Sequence, residues 1–312
     1  MLTMKPKVSV IGAGNVGAEV ARRLAEKDLA DVVLVDILEG IPQGKALDML
    51  QSGPILGFTS QIKGTNDYSE IKDSQIVVVT AGLARKPGMS RDDLLAKNAE
   101  IVKSVVEKIK NLAKDSIILM VTNPLDTMAY LAWKVSQFDA KRVIGMAPLL
   151  DAARMATFIA TELKVPVTEI KAMVLGTHGD LMVPVPTQTT VSGKPITELL
   201  PKDKIDGIVE RTRKGGAEIV SFLKTGSAYY APSAAAAYMV ESILKDEKKI
   251  IPSSVFVQGE YGLKDLFIGI PAKLGKKGVE KIIEIDLTEE EKEALKRSAE
   301  AIKENNKKCV RL

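Results

Sequence analysis

One cysteine, one histidine and no apolar run long enough to span a membrane mark this 312-residue sequence by what it lacks. Cys309 has no second cysteine with which to form an internal disulfide, which suits a reducing compartment. It also has no nearby partner to activate it, which argues against a catalytic thiol. A membrane helix needs roughly 20 consecutive apolar residues, and no run approaches that. Met1 to Lys7 is too short and polar for a signal peptide, so a cytoplasmic location is expected, with no membrane partner. An excess of one charge is missing too. The 44 basic and 40 acidic residues leave +4 and are interspersed, so no nucleic-acid partner is implied. No internal repeat stands out, and no metal is expected. Apolar residues make up 46% and charged residues 27%, an ordinary soluble composition, and the length suits two domains.

What is present is organised around Lys7 to Asp36. The β-branched run Val8, Val10, Ile11 ends in Gly12-Ala13-Gly14-Asn15-Val16-Gly17. Helix formers follow from Ala18 to Lys27, and a second apolar run, Val32 to Val35, closes on Asp36. Gly12 permits a tight turn, Gly14 lets a pyrophosphate approach the backbone, and Gly17 lets helix pack closely on strand. The opening helix offers free N–H groups and a positive dipole end to phosphates. Asp36 follows Gly17 by 19 residues, where its carboxylate can hold an adenosine ribose and repel a 2′-phosphate. The stretch therefore reads as a dinucleotide site for NAD rather than NADP. It does not give the reaction.

Further strands are expected at Gln61 to Gly64, Gln75 to Thr80, Ser116 to Thr122 and Lys141 to Ile144, alternating with helices Gly40 to Leu50, Arg91 to Leu112 and Leu125 to Val135. Six β segments with intervening helices predict an α/β fold, a doubly wound parallel Rossmann sheet, over residues 1–146. From 147 to 312 the pattern changes to a second, α+β substrate domain. It holds helices at Leu149 to Leu163, Ile205 to Leu223 and Ala234 to Leu244, and a strand at Glu169 to Leu175. An antiparallel pair follows at Ile250 to Val257 and Leu266 to Ala272, and Thr288 to Glu291 forms a capping box opening the last helix.

The single histidine, His178, sits in Leu175-Gly-Thr-His-Gly-Asp180, a glycine-flanked loop just past a strand. Its titration range suits proton exchange near neutrality, although a lone histidine is more often structural. Asp151 and Arg154 lie three apart on one helix face, which by spacing alone reads as an intrahelical ion pair. The functional alternative has Asp151 orient the imidazole while Arg154 forks onto a carboxylate. The loop Ala81 to Arg91 carries Arg85, Lys86 and Arg91 between glycines Gly82 and Gly88, as an ordinary basic turn or as a lid.

GAGNVG, the late Asp36, TAGLARKPGMSR, VTNP, LLDAARMATF and GTHGDLMVP stand in the order and spacing of the lactate/malate dehydrogenase family, and the sequence resembles that family from Val8 to beyond Ala235. The resemblance implies reversible oxidation of (S)-malate to oxaloacetate with NAD, a step of the tricarboxylic acid cycle. His178 would exchange the proton, Asp151 would orient it, and Arg91 would polarise the substrate carbonyl. Arg154 would grip the carboxylate beside the reacting carbon. Arg85 would take the second carboxylate of a dicarboxylate substrate, where lactate enzymes usually carry glutamine. Asn123 would bond the substrate oxygen. Thr80, Ala81, Gly82, Asn98, Val121 and Thr122, with Asn123, would join the cofactor site. A homodimer or homotetramer is implied as well. Lactate, or another 2-hydroxy acid, is the nearest alternative substrate, and a non-catalytic NAD-binding protein the alternative of another class. Thr177, Pro148-Leu149 and Ala156 depart from the family's usual residues. The last implies no activation by a sugar bisphosphate.

Overall fold

The computed structural model describes residues 5–83 and 89–310. Arg85 and Gly88 lie outside them. The first half alternates strand and helix: β1 (Lys7–Ile11), α1 (Asn15–Glu26), β2 (Asp31–Val35), α2 (Ile41–Leu56), β3 (Ile62–Thr65), β4 (Ile76–Val79), α3 (Arg91–Leu112), β5 (Ile117–Met120), α4 (Leu125–Ser136) and β6 (Val143–Gly145). All six strands are parallel, in the order β3-β2-β1-β4-β5-β6. Every residue of β4 and β5 is buried, as strands covered by helices on both faces must be. The order reverses between β1 and β4, so the Gly12 turn and the Thr80–Ala81 segment open side by side at the carboxyl edge.

The second half holds α5 (Ala147–Leu163), β7 (Ile170–Lys171), β8 (Val174–Gly176), β9 (Met182–Pro184), β10 (Thr190–Val191), β11 (Lys194–Pro195), α6 (Lys202–Leu223), α7 (Tyr230–Leu244), β12 (Lys249–Gln258), β13 (Lys264–Gly275), β14 (Gly278–Ile282) and α8 (Glu289–Val310). The sheet does not stop with β6. Ser254 of β12 pairs antiparallel with Gly145, and β13, β8 and β9 extend the same sheet. One apolar core accordingly runs from Val10 and Leu34 through Leu119 to Met239, Ile251 and Ile268.

Three local outcomes differ from the sequence reading. The strand expected over Glu169 to Leu175 is split. β7 pairs with β10 in a small three-stranded sheet, and β8 joins the large one. Ile170, Val174 and Leu175 are buried on both sides of the break, so the run reads as one apolar strand and hides the change of partner. Helix α2 continues past Leu50 despite Pro54, which falls in its last turn, and the helix ends at Gly57 in left-handed conformation. The short strands β9, β10 and β11, of two or three residues, are too brief to show a period. The capping box at the last helix forms as read. Thr288 N–H donates to Glu291 at 2.9 Å and Glu291 N–H to the Thr288 hydroxyl at 3.2 Å.

Candidate active site

The glycine turn has the shape its residues demand. Gly12 adopts φ +105°, and a Cβ on Gly17 would lie 1.9 Å from the Gly12 carbonyl oxygen, so neither position tolerates a side chain. A Cβ on Gly14 would meet nothing within 4 Å, which leaves open space over the turn. Gly14 also caps α1 without any side-chain hydrogen bond, so the helix start at Asn15 and Val16 is available to an anion. Asp36 reaches back from β2, and its carboxylate accepts the Ala13 N–H at 2.6 Å and the Leu38 N–H at 3.0 Å. Lys45 of α2 donates to the Ala13 carbonyl at 2.7 Å, a contact that no local pattern announces. Open space, free helix N–H groups and a carboxylate beyond them fit a dinucleotide's pyrophosphate and ribose.

Neighbouring strand ends are tied to this turn. The Thr80 hydroxyl donates to the carbonyls of Ile11 and Gly12, and the Thr122 hydroxyl donates to that of Ala81 at 2.7 Å. A Cβ on Gly82 would strike Thr122. Asn98 of α3 is buried with its amide fully engaged: it accepts from Leu83 N–H and donates to the carbonyls of Leu83 and Asn123. It thus braces the segment that carries Asn123, whose bond to Pro124 is cis.

Opposite this edge stands His178, just past β8. Its Nδ1 lies 2.8 and 3.1 Å from the two oxygens of Asp151, while Arg154 Nη1 donates to Asp151 at 3.3 Å. The two readings of the Asp151–Arg154 spacing therefore merge, because the intrahelical pair forms and Asp151 still takes the imidazole. The Asp151 side chain is 2% exposed, that of Arg154 13% and that of His178 18%, so the charges are largely removed from water. Burial pulls His178 down, but the charge and hydrogen bond of Asp151 outweigh it and hold the imidazole above its usual range. Burial pulls the Arg154 guanidinium down, against the pull of Asp151. Arg154 Nε is buried without a hydrogen-bond partner among the described residues.

His178 and Arg154 line a cavity of about 300 Å³ together with Asn123, Val121 and Val16 from the first half. Leu150, Gly216, Val220, Ser227, Ala228 and Pro232 close it from the second half. Space for Arg154 comes from Gly215 and Gly216 in α6; a Cβ on Gly215 would lie 3.0 Å from Arg154 Cδ. The sequence reading gave this glycine pair no role. Its signal is two adjacent glycines within a helical stretch, where each costs helix stability and so needs a reason. Arg91 opens α3 behind a capping box of Ser90 and Asp93, is exposed, and pairs with Asp180 at 2.7 Å outside the cavity lining.

Comparison with known proteins places the whole chain in a family. Residues 6–145 match the NAD-binding domain of lactate/malate dehydrogenases, and residues 149–312 match their alpha/beta C-terminal domain. The malate dehydrogenase of Pelodictyon phaeoclathratiforme is 57% identical over 307 residues, 98% of this chain and 99% of that protein. Among solved structures, the malate dehydrogenase of Salinibacter ruber superposes with a TM-score of 0.94 at 52% identity, covering 98% of each chain. The lactate dehydrogenase of Cryptosporidium parvum, complexed with lactic acid and nicotinamide adenine dinucleotide, gives 0.96 at 41% identity over 100% of each chain. The chain belongs to the lactate/malate dehydrogenase family.

Proposed function

We propose that the protein is an NAD-dependent malate dehydrogenase, whose site is the cavity between the glycine turn and the His178 loop. The observation that carries this reading is the joint placement of His178, Asp151 and Arg154 on one wall of that cavity, facing the strand ends beside the turn. Gly12 to Gly17 and Asp36 hold the pyrophosphate and adenosine ribose, with Thr80, Ala81, Gly82, Val121, Thr122 and Asn123 along the strand ends. Asn98 acts by bracing Asn123. When bound, NAD supplies the hydride acceptor or donor for the substrate's C2.

The protein's own residues manage charge and protons. Nδ1 of His178 donates to Asp151, which leaves Nε2 to take the hydroxyl proton of malate or return it to oxaloacetate. Asp151 stabilises the imidazolium without itself taking the proton, as the acid of a catalytic triad does. Arg154, nearly buried with a free Nε–H, offers a desolvated fork for the carboxylate beside the reacting carbon. Arg91, at the rim, stabilises the negative charge growing on the carbonyl oxygen after leaving Asp180, and does so best with water excluded. Arg85 takes the distal carboxylate, and this assignment rests on its place in the sequence motif. Pyruvate would leave that cation desolvated and unpaired. The division between the two domains falls at 146/147, where β6 gives way to α5. No helix among the described residues is long and apolar enough to cross a membrane; the lone cysteine supports the cytoplasm as location, and the tricarboxylic acid cycle is the setting. A homo-oligomer is supported by exposed apolar side chains on α2 and α6. Leu47, Ile55 and Leu56 stand on the first and Phe222 on the second, with Ile55 85% exposed.

The test is NADH oxidation with oxaloacetate and then pyruvate as acceptor. A preference of roughly 10³-fold in kcat/KM for oxaloacetate is expected, since each 1.36 kcal/mol of unpaired-charge penalty is tenfold. Arg85→Gln should narrow or invert it. An unchanged ratio in the variant would remove Arg85 as selector.

A further inference from the structure

A second buried carboxylate touches the histidine loop, and the proton chemistry above does not use it. Asp126 is the second residue of α4, one turn from Asn123, and is 2% exposed. One of its oxygens accepts the Thr177 hydroxyl at 2.7 Å and the His178 backbone N–H at 3.1 Å. The other accepts the Ser254 hydroxyl of β12 at 2.6 Å. The same loop is pinned from the far side, where Thr177 N–H donates to the Ser298 hydroxyl of α8 at 2.7 Å. His178 is thus held twice by carboxylates, at its ring by Asp151 and at its backbone by Asp126.

A buried carboxylate is a poor choice if stability alone is at stake, because neutral or apolar groups fill such space at less cost. Here the three partners are donors, and the backbone N–H can be nothing else, so the arrangement is matched to the ionised form. Two of the three contacts go to the loop that carries the proton-exchanging residue rather than to the core. Resting on the assignment of His178 as acid and base, we propose that Asp126 is a positioning residue for the reaction. It fixes the His178 backbone against the strand end that carries Asn123, and adds a second negative charge in favour of the imidazolium. The charged groups acting on His178 are then Asp151 and Arg154 from α5 and Asp126 from α4; on Asp126 it is His178. Burial holds the Asp126 carboxyl above its usual range, and hydrogen bonds from Ser254, Thr177 and His178 offset only part of that. Thr177 supplies one of those hydrogen bonds.

Asp126→Asn keeps the shape and loses the charge, and Ser254 can turn its hydroxyl to accept from the new amide. In this variant kcat for oxaloacetate reduction should fall about 10-fold or more, toward the low end of acid–base contributions. The limb of the pH profile that belongs to His178 should move to lower pH by at least about half a unit. NADH affinity and KM should stay within about twofold, because Asp126 does not line the cavity. Thr177→Val removes one hydrogen bond but leaves the carboxylate, so kcat should fall with the pH limb unmoved. That variant decides the matter if Asp126→Asn does not fold: a wild-type kcat for folded Thr177→Val would then overturn the proposal. Wild-type kcat and pH limb in Asp126→Asn would likewise reduce Asp126 to a structural group. His178→Asn, measured alongside, separates the readings, since full activity there would sink the histidine assignment itself.

Discussion

In the proposed reaction His178 is the residue on which the chemistry turns, and its environment fixes a sign. Asp151 raises the imidazole above its usual range against the opposing effect of burial. Reduction of oxaloacetate needs the protonated ring, so kcat/KM in that direction should hold up to a midpoint above about 6.5, the ordinary histidine value, and fall beyond it. Malate oxidation needs the neutral ring and should rise through the same midpoint. Asp151→Asn removes the charge that holds the proton. Its limb should shift to lower pH and its reduction rate drop by about 10²-fold or more. A limb left in place, followed by initial rates across pH, would show that Asp151 does not set the imidazole. At this scale the sequence offers one candidate because it holds a single histidine. The Asp151–Arg154 spacing was ambiguous, since three residues apart on a helix means both a neighbour and a shared face. Only the return of the His178 loop onto α5, a contact across 27 positions, resolves it.

At the scale of elements, the site is an arrangement of strand ends and one unusual helix. α1 and β1 were legible because the glycine turn, the helix formers and the trailing acid are contiguous. α6 was legible as a helix, but not as the wall against Arg154. Gly215 and Gly216 meet that side chain only because α6 lies across α5. Gly215→Ala offers a trade: alanine gains about 1 kcal/mol of helix propensity over glycine, but its Cβ would crowd Arg154. The expected outcome is a melting temperature that does not fall, with KM for oxaloacetate raised severalfold. An unchanged KM would mean that Arg154 adapts, and that the glycine does not set its position. The small antiparallel strands escaped the sequence reading for a simple reason. Two- and three-residue strands hold too few side chains to display alternation, and their pairing is decided by distant partners such as β13.

At the scale of the whole molecule, one large sheet and the core on it run through both halves, with the small β7-β10-β11 sheet apart from it, and the cavity sits where the halves meet. The change of pattern near residue 146 marks a change from parallel to antiparallel pairing, across which the hydrogen bonding continues through Ser254 and Gly145. That continuity was not readable from sequence, since a single bridging pair leaves no periodic trace. The apolar surface of α2 belongs to this scale as well. Leu47, Ile55 and Leu56 remain exposed in the single chain, together on one helix. Charges placed there by Leu47→Glu and Ile55→Glu should shift the sedimentation velocity toward a smaller species and lower thermal stability. A monomeric wild-type protein would remove the proposed oligomer, and variants that sediment unchanged would place its interface elsewhere.

The central claim is that His178, oriented by Asp151, moves the substrate's proton beside a bound dinucleotide. Its most direct test is His178→Asn, which keeps similar size and polarity but cannot titrate. Single-turnover and steady-state rates with oxaloacetate should both fall by at least about 10²-fold. NADH binding, followed by fluorescence titration, should remain within about twofold of wild type, since the histidine loop lies across the cavity from the glycine turn. A near-normal kcat in a variant that still binds NADH would contradict the account.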